Sequence, residues 1–296
     1  MEKSRGFVTI ATGKNNSFAQ LAFNLKRTYD FQPQSKRYPW AIITDYDDNK
    51  WKIFDKTVIL HNAKGSYLDK IEMLSIPPWD ENIFIDADCL IYGDISSLFS
   101  IFPLQGVRHM GTTIATTEHG RGWFDIDDIG MYKNEITFKI HSHGGIIFFN
   151  KDQTTQKVYN TALEISRQWN KLKFREFNKP ADEPILALSM CIHRCQPIPL
   201  DISKYMYFYR VHRNIKNIDI NRGVLSFQNK YNGKLYENVP ILHWGTNETN
   251  GYLYKSEMLR FNHSIFYLIK KIFWLLEEKF MTLKYTIKSN LYSLLH

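Results

Sequence analysis

Apolar positions in the first third of the chain fall into short unbroken runs, separated by segments with helical spacing. Residues 7–11 are rich in β-branched side chains and stop before Gly13, which predicts a buried strand. Ser17 is placed to cap a helix reaching about Tyr29, with Phe18, Leu21, Ala22 and Leu25 on one face. Residues 40–44 and 57–60 predict a second and a third strand. Residues 67–74 predict a short helix, stopped by Pro77 and Pro78, and residues 83–86 a fourth strand. Strand alternating with helix argues for an α/β domain built on a mainly parallel sheet. Ligands of such sheets bind outside the carboxyl ends of the strands, where both Gly13 and the Asp86-Ala87-Asp88 triplet fall.

The second stretch is less regular. Residues 121–133 read as a loop whose Asp125, Asp127 and Asp128 form a solvated acidic surface. A strand is expected at 146–149, entered through Gly144 and Gly145, then helices at about 154–171 and 182–193 and a late strand at 239–244. No internal repeat is present. In the tail, Ile265, Ile269, Ile272, Leu276, Phe280, Leu283, Ile287, Leu291 and Leu294 form one helical stripe. Tyr267, Trp274, Met281 and Tyr285 lie roughly opposite, flanked by Lys270, Lys271, Lys284 and Lys288. One face of such a basic amphipathic helix can dock on the protein while the other meets an anionic membrane. The expected organisation is therefore one catalytic domain over 1–263 and a basic amphipathic helix over 264–296.

Composition narrows the class. With 44% hydrophobic and 23% charged residues, the 296-residue chain is globular, and disordered or low-complexity classes are excluded. A net charge of +8 favours acidic partners, yet no nucleic-acid recognition motif accompanies it, so nucleic acid is not expected. Three cysteines are too few for a disulfide framework and suit a reducing, cytoplasmic compartment. No signal peptide is visible, and no apolar run approaches the ~20 residues that span a bilayer.

Asp86 and Asp88 carry the chemistry. Two carboxylates one residue apart, at the end of a buried strand, repel each other without a cation. Hard oxygen ligands of this kind suit Mg²⁺ or Mn²⁺, which can bridge a diphosphate and neutralise a leaving group. The alternative is a strand-end turn in which an Asp caps the next helix.

The surrounding segments resemble glycosyltransferases of the GT-A fold, a Rossmann-like architecture, and are most similar to family 8. The similarity lies in residues 67–77, 83–88 and 93–99, then 143–150, 182–186 and 241–245, in the family's order, and covers about residues 6–250. The resemblance implies a metal-dependent transferase that uses a nucleotide-sugar, a UDP-sugar, with Mn²⁺ (or Mg²⁺) and with retention at the anomeric carbon. It implies that Asp86, Asp88 and His243 hold the metal, with Ala87 inside that motif. It places Ala11 and Thr12 by the base and ribose, and Lys70 near the donor sugar or diphosphate. It sets His143, Gly144 and Gly145 against the donor sugar, with Gly245 closing the late motif. Asp182 would hydrogen-bond sugar hydroxyls, and Glu183 would lie by the anomeric carbon, as a nucleophile or as a stabiliser of positive charge. The acceptor expected is a glycan or, because the basic tail suits attachment at the inner face of a membrane, a lipid-linked saccharide.

Three positions depart from the family: Glu183 replaces a Gln, His143 replaces an Asn, and no Lys-Pro-Trp follows His243. Two rival readings remain. One is a nucleotide-sugar-binding protein without transfer activity. The other is a sugar nucleotidyltransferase, for which Gly13-Lys14 is a poor phosphate loop. His141 and His143 have the alternate spacing of a zinc pair on a strand but lack an evident third ligand. Cys191 and Cys195 read as buried structural thiols.

Overall fold

The computed structural model describes residues 2–14, 17–209 and 214–262. The tail helix expected over 264–296, and its membrane reading, lie outside them. Among the described residues no helix is long and apolar enough to cross a membrane.

In chain order, β1 (Arg5–Ala11), α1 (Phe18–Phe31), β2 (Trp40–Thr44) and β3 (Lys56–Ile59) lead to α2 (Asp69–Glu72), β4 (Glu81–Ile85) and β5 (Cys89–Ile91). Then come β6 (Val107–Ile114), β7 (Lys139–Asn150), α3 (Gln153–Arg167) and α4 (Asp182–Ile192). The last described part holds β8 (Met206–Phe208), β9 (Ile215–Asp219), β10 (Val224–Gln228), β11 (Leu235–Tyr236), β12 (Ile241–His243) and α5 (Tyr252–Asn262).

The main sheet has six strands in the order β3-β2-β1-β4-β7-β6. Its first four strands are parallel, β7 runs antiparallel to β4, and β6, antiparallel to β7, returns to the direction of the first four. The parallel part is as expected; the antiparallel part corrects the simpler picture. Every residue of β2 and β4 is buried, as strands covered on both faces require. The edge strand β3 is mostly exposed and opens with Lys56, which discourages further pairing.

Alternation along each strand sends neighbours to opposite faces. Phe7, Ile42, Ile83 and Phe148 pack with Leu21, Leu25 and Tyr29 of α1 on one side. Val8, Ile43, Phe84, Ile147 and Phe149 pack with Val158, Ile165 and Leu186 of α3 and α4 on the other. The result is a helix–sheet–helix sandwich. Ser17 does not cap α1 with its side chain; it is already helical, and its carbonyl accepts from Leu21 N.

Two small sheets complete the fold. One orders β5-β12-β8 and the other β11-β10-β9. The first positions the site, because β12 pairs with β5 just past the end of β4. The strand order reverses direction between β1 and β4, and at such switch points the connecting loops part and leave a crevice.

Candidate functional site

The site begins where β4 ends. Asp86 N donates to Gly145 O (3.2 Å) and Cys89 N donates to Asp86 O (3.1 Å), so residues 86–89 make a tight turn. That turn carries the two carboxylates of Asp86 and Asp88, with the buried Ala87 between them. The register Cys89↔His243 then brings β12 alongside, and Trp244 N donates to Asp88 O (3.2 Å). His243 Nε2 reaches 3.0 Å from Asp88 Oδ1 and 3.7 Å from Asp86 Oδ2. Thr246 Oγ1 donates to Asp88 Oδ2 (3.2 Å), just beyond Gly245, which turns the chain at φ 80°.

α2 supplies the cation. Lys70 Nζ lies 2.7 Å from Asp86 Oδ1 and 3.4 Å from Asp182 Oδ2. Asp69 fixes the start of this helix by accepting from Lys64 N, Ser66 N and Thr12 Oγ1, the last at 2.6 Å. Thr12, with Ala11 at the end of β1, is thereby tied to the helix that carries Lys70.

β7 supplies the opposite wall. His109 pairs with Ile147 and Gly111 with Ser142, so residues 143–146 stand opposite Met110 alone. This bulge pushes Gly144 and Gly145 out of the ladder toward the site. A Cβ on Gly144 would come 2.9 Å from Glu183 Cγ, and one on Gly145 would come 3.1 Å from His243 Nδ1. A side chain at either position would push the Glu183 or His243 side chain aside. Glu183, in the first turn of α4, accepts from Gly144 N through Oε1 (2.6 Å). His143 Nδ1 accepts from Gly145 N (3.1 Å) and lies 3.8 Å from Glu183 Oε1.

The charges are buried and mutually dependent. Burial opposes the charge on Lys70, but Asp182 and Asp86 outweigh it and hold the ammonium well above its usual range. Burial also raises Asp86, with Asp88 adding to the rise and Lys70 opposing it. Asp88 goes the other way: His243 and Thr246 overcome burial and lower it. His243 is raised despite burial, because Asp88 faces its Nε2. Burial and the Asp182 charge lift Glu183 to about 7. His143 is held well below its usual range by the protein packed around it, then by His243 and Lys70. That holds although 32% of its side chain reaches solvent.

The His243 imidazole, 3.0 Å from the Asp88 carboxylate and 3.7 Å from that of Asp86, completes a set of donor types that Mn²⁺ or Mg²⁺ accepts. Donor atoms of Asp88, Cys89 and His243 lie within 4.8 Å of one another. Burial and the charges of Asp88 and Asp86 raise the Cys89 thiol well above its usual range, and a hard divalent cation prefers the oxygens and the imidazole to sulfur. The residues present therefore fit a hard divalent cation.

Lys70, Asp86, Asp88, His143, Gly144, Gly145, Asp182, Glu183 and His243, chosen from sequence, thus meet in one cluster. The zinc pairing of His141 with His143 gains no third ligand among the described residues. His141 packs instead on Trp123, with ring centroids 5.7 Å apart. Cys191 and Cys195 are free and buried, as expected. Asp125 is not part of a solvated loop; it pairs with Arg175 and lies 3.3 Å from Lys139 Nζ, because loops distant in sequence close over it. Sequence reasoning missed Thr246 and also Phe208, whose ring lies 3.7 Å from that of His143. A hydroxyl three residues after His243 was a usable signal for the first. The second sits in a three-residue strand with no periodicity to read. No protein-family profile and no curated protein sequence matches the chain.

Proposed function

We propose that the protein is a metal-dependent glycosyltransferase of GT-A type. It moves a sugar, with retention, from a nucleotide-sugar donor, a UDP-sugar, to a glycan or lipid-linked saccharide. The observation that carries this reading is His243 Nε2 standing 3.0 Å from the Asp88 carboxylate and 3.7 Å from that of Asp86, with Glu183 held by Gly144 N on the neighbouring strand. A bound Mn²⁺ or Mg²⁺ supplies charge neutralisation for the departing nucleotide diphosphate.

The chain's own residues do the rest. Lys70 adds positive potential beside Asp86, where negative charge builds on the leaving group. Asp182 Oδ2 is buried, ion-paired with Lys70 Nζ at 3.4 Å and without a hydrogen bond among the described residues, so it keeps lone-pair capacity for a sugar hydroxyl. Gly144 and Gly145 let backbone pass close to the donor sugar. Glu183, oriented by Gly144 N, faces the anomeric carbon as a nucleophile or as a charge stabiliser. The buried free thiols support a reducing, cytoplasmic setting, and the basic tail supports attachment at the inner face of a membrane.

The test is a screen of nucleotide-sugars with Mn²⁺, scored by nucleotide release with water as a weak acceptor. Asp88→Ala and His243→Ala should abolish Mn²⁺-dependent UDP binding while leaving the fold intact. Turnover undiminished by EDTA sinks the proposal. Vesicle co-sedimentation, with and without residues 264–296, tests attachment; a full-length chain that stays in the supernatant at low salt removes that part.

A further inference from the structure

Two residues before His143, the same strand borders a second concavity. A cavity of about 520 Å³ is lined by residues that include Ile114, Arg121, His141, Arg175 and Glu176. None of its lining residues belongs to the Asp86–Asp88–His243 cluster, and the link between the two is β7, which carries both His141 and His143. His141 and His143 alternate with the buried Ser142, so they share one face of β7. At a strand rise of about 3.3 Å per residue they stand about 7 Å apart. That is on the order of one sugar ring, so a sugar in the cavity could present a hydroxyl to the anomeric carbon beside Glu183.

The walls of the cavity are built. Asp125, with 14% of its side chain exposed, pairs with Arg175 and lies 3.3 Å from Nζ of Lys139, which is itself 1% exposed. It also accepts from Gly120 N (3.0 Å). Arg175 N donates to Trp123 O (2.7 Å) and Lys173 N to Asp128 O (3.0 Å), which zips the 173–175 segment to the 123–128 segment. Trp123 fills the space behind, its ring 5.7 Å from His141 and 5.4 Å from Phe177. Glu176, on the lip, adopts φ 66°, a left-handed conformation that costs a non-glycine residue of order 1 kcal/mol and is typical of ligand-holding segments.

The charges are unevenly placed. The lining itself carries two guanidinium groups, Arg121 and Arg175, against the single carboxylate of Glu176, while behind it the buried Lys139 and Arg175 share Asp125. At the rim, Arg121 pairs with Glu118 through Nη1 (2.6 Å), which leaves its other guanidinium donors available. The exposed Glu176 carboxylate stands in water, where screening weakens it. A ligand on the wall meets net positive charge and two guanidinium groups, with hydrogen-bonding partners at His141 and Glu176.

We infer that this cavity is the acceptor subsite and that it takes a sugar bearing a carboxylate or phosphate, held by Arg121 and Arg175. The inference rests on the glycosyltransferase reading for the word acceptor, but not for the ligand chemistry.

The test is direct binding, followed by calorimetry and by tryptophan fluorescence, on the full chain. The probes are methyl glucuronide, glucose 6-phosphate, the neutral methyl glucoside and inorganic phosphate. At least one acidic sugar should bind about tenfold or more tighter than both the neutral glycoside and phosphate alone, and which one does so names the anion. Arg121→Ala, an exposed substitution, should remove about that tenfold preference, and Arg121→Glu should remove more. Both variants should leave Mn²⁺–UDP binding unchanged. Equal binding of acidic and neutral sugars, no binding of any probe, equal binding of phosphate alone, or no response to either Arg121 variant overturns the inference. A wild-type chain that binds an acidic sugar but not Mn²⁺–UDP would instead count against the transferase reading.

Discussion

His109 makes the stability of this protein depend on pH in a way that can be worked through. The residue sits in β6 and is fully buried, with Nδ1 3.0 Å from Ser142 Oγ and Nε2 without a partner among the described residues. Burial, and then the charge of Lys70, push its pKa from 6.5 down to about 3. The unfolded chain therefore binds this proton before the folded one does. Stability from the neutral ring is complete above about pH 6.5 and is lost as pH falls from there toward about 3. Each pKa unit corresponds to about 1.4 kcal/mol, so an interval of about 3.5 units bounds the loss at about 5 kcal/mol. Local opening around the ring would reduce it. Against the 5–15 kcal/mol typical of a domain, even half of that is large.

The perturbation is His109→Gln, which keeps a polar group opposite Ser142 and removes the titration. Urea unfolding of both proteins between pH 8 and pH 4 gives the comparison. The wild type should lose stability relative to the variant by up to about 1.4 kcal/mol per pH unit below pH 6.5. A difference between the two that is constant over that range refutes the reasoning. Should the variant not fold, the imidazole resonance of His109 in the wild type answers the same question. It should not titrate above pH 5 while the protein remains folded.

The remaining predictions concern the cluster. Glu183→Gln should cost several orders of magnitude in turnover with donor affinity nearly intact if Glu183 is the nucleophile; near-normal nucleotide release by this variant rejects a covalent role. Gly144→Ala would place a Cβ 2.9 Å from Glu183 Cγ, where carbon contacts are ordinarily about 3.5–4.0 Å. The displaced carboxyl should lower turnover by about 10–100-fold while the urea midpoint moves little, and wild-type turnover would contradict the proposed place of Glu183. Lys70→Met leaves Asp86 and Asp182 without their cation. It should destabilise the fold by about 3 kcal/mol at pH 7, measured by urea unfolding, with the deficit shrinking in acid as the carboxylates take up protons.

Much of the architecture was legible because its elements are locally redundant. β1, β2 and β4 each hold a short run rich in β-branched and aromatic residues, too short for a helix and suited to a strand covered on both faces. α3 and α4 carry enough turns for their spacing to show. The carboxylate pair announced itself by standing at the end of such a run. β6 was not legible: Arg108, His109, Gly111, Thr112 and Thr113 break any apolar pattern, and it is a strand because β7 and residue Ile198 pair with it. The same holds for β5 and β8, which are too short to show a period, whereas β12 falls inside the late strand expected over 239–244.

By itself, the sequence determined which segments bury themselves and which residue types stand at the strand ends. Only the tertiary structure decided direction, register and charge partners. Periodicity is the same for a parallel and an antiparallel neighbour, so the reversal of β7 had to come from pairing with β4. The register Cys89↔His243 sets an imidazole beside carboxylates more than 150 residues away, and no local rule encodes it. Asp125 looked solvated because its partners, Lys139 and Arg175, are 14 and 50 residues distant. A charge is solvated or buried according to what the folded chain brings over it, and that is a property of the whole packing, not of the segment that carries the charge.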